Sequence, residues 1–269
     1  MKISILLPDL RGGGAERVSV DLARAFAGLG HEVEFVLVKA EGDFLPEAKA
    51  DFPVVDLNVG RTRRIPAALA RYLRLHRPDA VIANTWGLTS AAVIGRALSG
   101  QSCPLLLVEH STLSRQYAPW GKLRNIRRRV SMTATYRWAD RVAAVSEGAT
   151  HDTARLASLP QNRVTVLHNP IPQRPMPSAE ARSAADALWN CPQGLRILTV
   201  GNLKPVKNHP RLLQAFARLS RPGARLMANA AWPRAERGEA TGDGGGTRHR
   251  EPGDLCRIPL RSDAFLRDR

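Results

Sequence analysis

The chain has 269 residues, 40 Lys and Arg against 24 Asp and Glu, a formal net charge of +16 and 43% hydrophobic residues. That is enough apolar material for a core, which excludes a disordered basic tail, and the length suits one large or two ordinary domains. Three scattered cysteines, Cys103, Cys191 and Cys256, exclude a disulfide scaffold or a zinc site with paired ligands, and fit a reducing, cytosolic setting.

The first apolar run, Ile3 to Leu7, is shorter than a secretory signal core, and no window approaches the ~18 apolar residues of a spanning helix, so neither fate is expected. The run reads instead as a buried strand. A helix follows over Ala15–Leu29, with Val18, Leu22, Phe26 and Leu29 on one face and a stop at Gly30, and then a strand over Val33–Val38. The alternation continues with strand Val54–Leu57, helix Ile65–His76 with Pro66 in its first turn, strand Ala80–Ala83, helix Ala91–Leu98 and strand Leu105–Val108. After a basic helix come strand Arg141–Val145, helix Glu147–Ser158 and strand Val164–Leu167. Near-continuous apolar strands separated by helices predict an α/β fold with a parallel sheet covered on both faces, the doubly wound arrangement.

From His168 to Gly194 five prolines break the pattern, although Ala179–Leu188 suits a short helix, and this stretch reads as a linker. Strand Leu195–Val200, a loop and helix Arg211–Leu219 then open a second unit. It does not continue: from Ala228 to Asp254 there is no Val, Ile, Leu or Phe, and 16 of the 26 residues from Asn229 to Asp254 are Ala, Gly, Pro or Arg. Such a stretch is expected to supply neither strand nor amphipathic helix. A disordered native tail and a frameshifted or truncated reading frame both yield this mixture, and the second is favoured because frame changes in GC-rich coding produce it. The expected division is 1–168, 169–194 as linker, 195–227 as the start of a second domain, and 228–269 as an aberrant, disordered tail.

The charge is uneven. Arg61 to Arg141 holds 15 basic residues and three acids, and it is densest from Trp120 to Trp138. On a helix Leu123, Ile126, Val130, Ala134 and Trp138 form one apolar stripe, with Lys122, Arg124, Arg128 and Arg129 largely off it. Three readings fit: a core-packed stripe with a solvated basic face, a surface resting on anionic lipid or a lipid diphosphate, and nucleic-acid binding. No helix-turn-helix, zinc-finger, RRM or KH pattern accompanies the charge, so no nucleic-acid partner is expected.

Three loops could carry chemistry. Gly12-Gly13-Gly14 precedes the first helix, where backbone N–H groups and the helix dipole favour phosphate or sugar oxygens; a plain tight turn would look the same. His110, in Glu109-His110-Ser111-Thr112, follows a strand at the edge where doubly wound sheets bind ligands, placed to meet a substrate hydroxyl or phosphate. Gly201-Asn202-Leu203-Lys204-Pro205-Val206-Lys207 lies between strand and helix in the second unit, and its lysines suit a departing diphosphate as well as a solvated surface.

Taken together, GGGAERV (Gly12–Val18), VEHST (Val108–Thr112), ADRVAAVSEG (Ala139–Gly148), VTVLHNPI (Val164–Ile171) and VGNLKPVKNHPRLLQAFARL (Val200–Leu219) resemble glycosyltransferase family 4. The resemblance implies a GT-B fold of two Rossmann-like domains, the first complete here and the second only begun. It also implies transfer from a nucleotide-sugar to a lipid-linked or polysaccharide acceptor, with retention, without a metal cofactor, in the cytoplasm at the inner membrane. It matches Gly13 and Gly14 to the glycine loop near donor phosphate and acceptor, His110 to the histidine contacting the transferred sugar, and Lys207 to the lysine stabilising the leaving diphosphate. Asn202 stands where many members carry a phosphate-binding arginine, a role Lys204 could take over. The family's pair of glutamates separated by seven intervening residues has no counterpart after Leu226, where only Glu236, Glu239 and Glu251 occur. Little or no activity is therefore expected of this chain, and a non-catalytic acceptor- or lipid-diphosphate-binding role is the alternative.

Overall fold

The computed structural model describes residues 1–171, 176–187, 197–200, 207–219, 227–231 and 256–259. The chain divides into two compact units, Met1–Pro172 and Gln173–Arg269.

The first unit alternates strands and helices: β1 (Lys2–Leu7), α1 (Gly14–Gly28), β2 (Glu32–Leu37), α2 (Leu45–Asp51), β3 (Val54–Asp56), α3 (Ile65–His76), β4 (Ala80–Asn84), α4 (Leu88–Ser99) and β5 (Leu105–Glu109). Then follow α5 (Leu113–Gln116), α6 (Lys122–Thr135), β6 (Arg141–Ala144), α7 (Glu147–Ala157) and β7 (Val164–Val166). The seven strands form one sheet in the order β3-β2-β1-β4-β5-β6-β7, parallel throughout. The order reverses between β1 and β4. Strand alternation sends Ile3, Ile5, Leu7, Val33, Phe35 and Leu37 into one core cluster and Leu6, Val36, Val81, Ala83, Leu105 and Leu107 into the other, so both faces are covered. Helix ends follow local chemistry: Pro66 lies in the first turn of α3, Ser146 Oγ accepts from the Ala149 N–H at the start of α7, and α4 stops at Gly100.

The orientation of α6 departs from a core-packed stripe. Leu123, Ile126, Val130 and Trp138 are 71, 58, 61 and 67% exposed, whereas Arg128 is 3% exposed and Met132 and Thr135 are buried. Arg128 lies on the inward face, where its guanidinium donates to the Leu113 carbonyl at 2.6 Å and sits over the Tyr117 ring. The reason is polar satisfaction: this face brings Tyr136 to the buried Glu109 carboxylate, Thr135 to Ser90 and Ser131 to the Trp86 indole N–H. A buried polar group left unpaired costs about 1–3 kcal/mol, so each of these pairings favours the observed orientation.

In the second unit the described elements are α8 (Ala179–Ala187), β8 (Thr199–Val200), α9 (His209–Leu219), β9 (Met227–Ala231) and β10 (Cys256–Pro259). β9 pairs parallel with β8 and antiparallel with β10. β9 corrects the expectation that Ala228–Asp254 contributes no strand: ladder bonds use backbone N–H and C=O groups, which Ala and Asn carry as well as Val does. Leu195 and Arg196, which open the expected strand Leu195–Val200, lie outside the described residues.

Candidate functional site

Where strand order reverses, the loops leaving the carboxyl ends of neighbouring strands part and leave a crevice, the usual ligand position in open α/β sheets. Here that point lies between β1 and β4. The loop after β1 leads through Asp9, which accepts from the Arg11 N–H and guanidinium, to Gly13 at the start of α1. Gly13 has ordinary extended backbone, φ −121° and ψ 168°, and a side chain added at Gly14 would meet nothing within 4 Å. Gly14 therefore leaves open space at a helix N-terminus, whereas at Gly13 the Glu16 carboxylate fills the place a side chain would take, 2.1 Å from it.

Asn84 ends β4 and is buried. Its Nδ2 donates to the Leu6 carbonyl of β1 at 3.1 Å, and its Oδ1 lies 2.8 Å from His110 Nε2 just past β5. One side chain thus links three adjacent strand ends. His110 Nδ1 is buried and has no hydrogen-bond partner among the described residues. Burial pushes the His110 pKa down to about 4, so the ring is neutral at pH 7.

Beside it, Glu109 is completely buried. Its carboxylate accepts from the Tyr136 hydroxyl, from Thr89 Oγ1 at 3.2 Å and from the Trp86 N–H at 3.1 Å. Burial pushes its pKa up to about 7, while these three donors act in the opposite direction. The same environment pushes the Tyr136 hydroxyl well above its ordinary range, by burial first and by the Glu109 charge next. Glu109 thereby holds the loop Thr85–Gly87, in which Thr85 has φ 65° and Gly87 φ 99°.

The loops above the sheet carry a cluster of rings, Trp86, Tyr117 and Trp120, with centroids 4.4–5.9 Å apart. Arg124 lies over Trp120, 5.7 Å from its centroid. Nearby in the chain, Thr112, Arg115, His151 and Arg155 help line an open groove of about 590 Å³ on α5 and α7. Among the described residues no group of three or more His, Cys, Asp or Glu could hold a metal ion, and no helix is long and apolar enough to cross a membrane.

Of the residues singled out from sequence, Gly13, Gly14 and His110 all lie at the carboxyl edge of the first sheet. Lys207 is exposed in the second unit, two residues before α9, and Asn202 and Lys204 lie outside the described residues. Sequence reasoning passed over Asn84, Glu109, Tyr136 and the ring cluster. Asn84 carried the signal that had marked His110, a polar residue closing an apolar strand.

The model of Glycosyltransferase Family 4 matches residues 12–173, more than half of the chain and nearly all of the first unit. This chain belongs to glycosyltransferase family 4. No curated protein matches it by sequence. Among solved structures it is similar to Anabaena Alr3699/HepE in complex with UDP-glucose, with 21% identity and a TM-score of 0.64 over 86% of this chain and 60% of that one. It is also similar to the apo form of the lipopolysaccharide outer core galactosyltransferase WaaB, with 18% identity and a TM-score of 0.52 over 82% and 58%. A putative UDP-N-acetylglucosamine 2-epimerase from Listeria monocytogenes gives 14% identity and a TM-score of 0.53 over 88% and 63%. These likenesses are of fold, a Rossmann-like doubly wound sheet of the GT-B kind. The family 4 chain spans about 60% of the length of the HepE chain.

Proposed function

We propose that the chain is a sugar transferase of family 4 whose first unit holds the acceptor. The observation that carries this reading is the family match over residues 12–173, with His110 and the Gly13-Gly14 loop at the carboxyl edge of that unit's sheet. In this reading residues 1–168 bind the acceptor, 169–194 link, 195–227 begin the nucleotide-sugar domain and 228–269 form a tail of different composition. A UDP-sugar is a natural donor class, since HepE is known with UDP-glucose. Lys207 would stabilise the departing diphosphate, with Lys204 and Asn202 on the same loop, and transfer would retain configuration without a metal.

The acceptor in this reading is lipid-linked, or a growing polysaccharide, met in the cytoplasm at the inner membrane surface. Supporting it is the outer face of α6 and the turn after it: Leu123, Ile126, Val130 and Trp138 are exposed among Lys122, Arg124, Arg127, Arg129 and Arg137, with no acid from 120 to 138. An apolar ridge flanked by cations suits the interface of an anionic bilayer. It suits nucleic acid less, because phosphate binding gains nothing from exposed Leu, Ile and Val.

A second reading is acceptor binding by the first unit without turnover. Transfer needs electrostatic stabilisation from both sides of the cleft. Calorimetry should therefore show the purified 269-residue protein binding a polyprenyl-diphosphate-linked monosaccharide at least about tenfold more tightly than UDP-glucose or GDP-mannose, a gap of about 1.4 kcal/mol. Tighter binding of either nucleotide-sugar would sink the assignment of residues 1–168 to the acceptor.

A further inference from the structure

His110 can offer a ligand only the nitrogen that its neighbours leave free, and the hydrogen bonds around Asn84 decide which proton it carries. The Leu6 carbonyl can only accept, so the Asn84 atom 3.1 Å from it is the amide nitrogen. The other end of the amide, Oδ1, is therefore the atom facing His110 Nε2 at 2.8 Å. A carbonyl oxygen accepts and never donates, so Nε2 must bear a hydrogen. Adding a second proton at Nδ1 would charge a ring that is largely out of water, and no carboxylate is hydrogen-bonded to it. The Glu109 carboxylate next in the chain is already occupied by Tyr136, Thr89 and Trp86.

We infer that Asn84 is a positioning residue that locks His110 in the Nε2–H tautomer, leaving Nδ1 as a lone-pair acceptor, so that the group His110 receives is a hydroxyl and not a phosphate oxygen. The oxygens of a phosphodiester or of a nucleotide-sugar diphosphate carry no proton at pH 7 and bring only lone pairs, so opposite a bare Nδ1 they would meet another lone pair; a sugar hydroxyl brings the missing proton. The buried, unpartnered Nδ1 is the kind of orphan that a native structure keeps for a ligand. The inference deepens the transferase reading, and depends on it only for the hydroxyl being a sugar's. The tautomer belongs to the unliganded protein.

The test is long-range ¹⁵N–¹H correlation NMR on the full 269-residue protein at pH 7, with the His110 signals, one set among seven histidines, assigned by their loss in His110→Asn. The wild type should show a single Nε2–H tautomer, with the two ring nitrogens fully separated in shift and a slowly exchanging Nε2 proton. Asn84→Ala should move both nitrogens toward the averaged values of free imidazole and speed exchange of that proton at least about tenfold, as loss of a hydrogen bond of roughly 1.4 kcal/mol implies. An excess of dimethyl phosphate, which carries no P–OH at pH 7, should leave Nδ1 unmoved. A wild-type Nδ1–H tautomer, averaged shifts in the wild type, or a shift of Nδ1 on adding dimethyl phosphate would each overturn the inference. None of these outcomes depends on turnover, so a failure here is distinguishable from a failure of the transferase reading.

Discussion

Raising the pH from 4.5 to about 7 should lower the unfolding free energy by about 3 kcal/mol through Glu109, and Glu109→Gln should abolish that fall. Burial raises the folded-state pKa of this carboxyl from 4.5 to about 7, whereas in the unfolded chain it returns to the ordinary value. Between those two pH values the folded protein holds a proton that the unfolded chain has released. Folding then takes up a proton, so stability is highest below 4.5, declines through the window and is fully reduced above about 7, at about 1.4 kcal/mol per pH unit. Glu47, Asp140 and Asp152 slope the other way, because their pKa values are lowered. They are common to both proteins, so the difference between wild type and Glu109→Gln isolates the one group. Urea unfolding of both across pH 4.5–8 makes the comparison; curves that run parallel would show that burial does not raise the Glu109 pKa in the folded protein.

Gly42→Ala should destabilise the first unit by about 2–6 kcal/mol, the sum of left-handed backbone strain of ~1–3 and overpacking of ~1–3 kcal/mol. Gly42 has φ 119°, and a Cβ placed there would lie 2.1 Å from the Leu10 carbonyl carbon and 2.2 Å from the Arg11 nitrogen. Two loops cross at this point: the Leu10 N–H donates to the Glu41 carbonyl at 2.9 Å and the Phe44 N–H to the Leu10 carbonyl at 3.0 Å. Neither backbone can yield without moving the loop that leads to Gly13. Gly60→Ala is the control, since a Cβ there meets nothing within 4 Å and its φ is not positive. It should be neutral, or stabilising by about 0.4–1 kcal/mol through the unfolded chain. Equal thermal shifts for the two variants would mean that the crossing is not tight.

The sheet was legible because its strands are buried on both faces and read as unbroken apolar runs, and α1, α3 and α7 because their periodicity and end signals agree. α2 was not legible. It is seven residues long, and its anchors are ion pairs of Glu47 and Asp51 with Arg17 and Arg24, which come from another helix. The same distance in sequence hid the support of the site. His110 and Gly13 announce themselves by following a strand, but Glu109 meets Trp86, Thr89 and Tyr136 from 20 to 27 residues away, and nothing in Val-Glu-His marks the glutamate as buried. For α6 the periodicity identified the helix and the residues sharing its stripe. It could not say whether that stripe meets a core or a lipid surface, because the two look alike in sequence. In the structure the stripe is turned outward, with Tyr136, Thr135 and Ser131 bonded on the inner side to Glu109, Ser90 and Trp86.

That outward stripe makes vesicle sedimentation the most direct test of a transferase that meets its acceptor at a membrane. At about 150 mM salt, where exposed charges more than ~8 Å apart are largely screened, the protein should co-sediment with phosphatidylglycerol-containing vesicles. The Leu123→Glu, Ile126→Glu, Val130→Glu triple variant should bind at least about tenfold more weakly, because each apolar side chain contributes up to ~1.5–3 kcal/mol when removed from water. All three residues are exposed, so the variant should unfold at the same temperature as the wild type. Undiminished vesicle binding by the triple variant, or a wild-type protein that stays in the supernatant, would contradict the account.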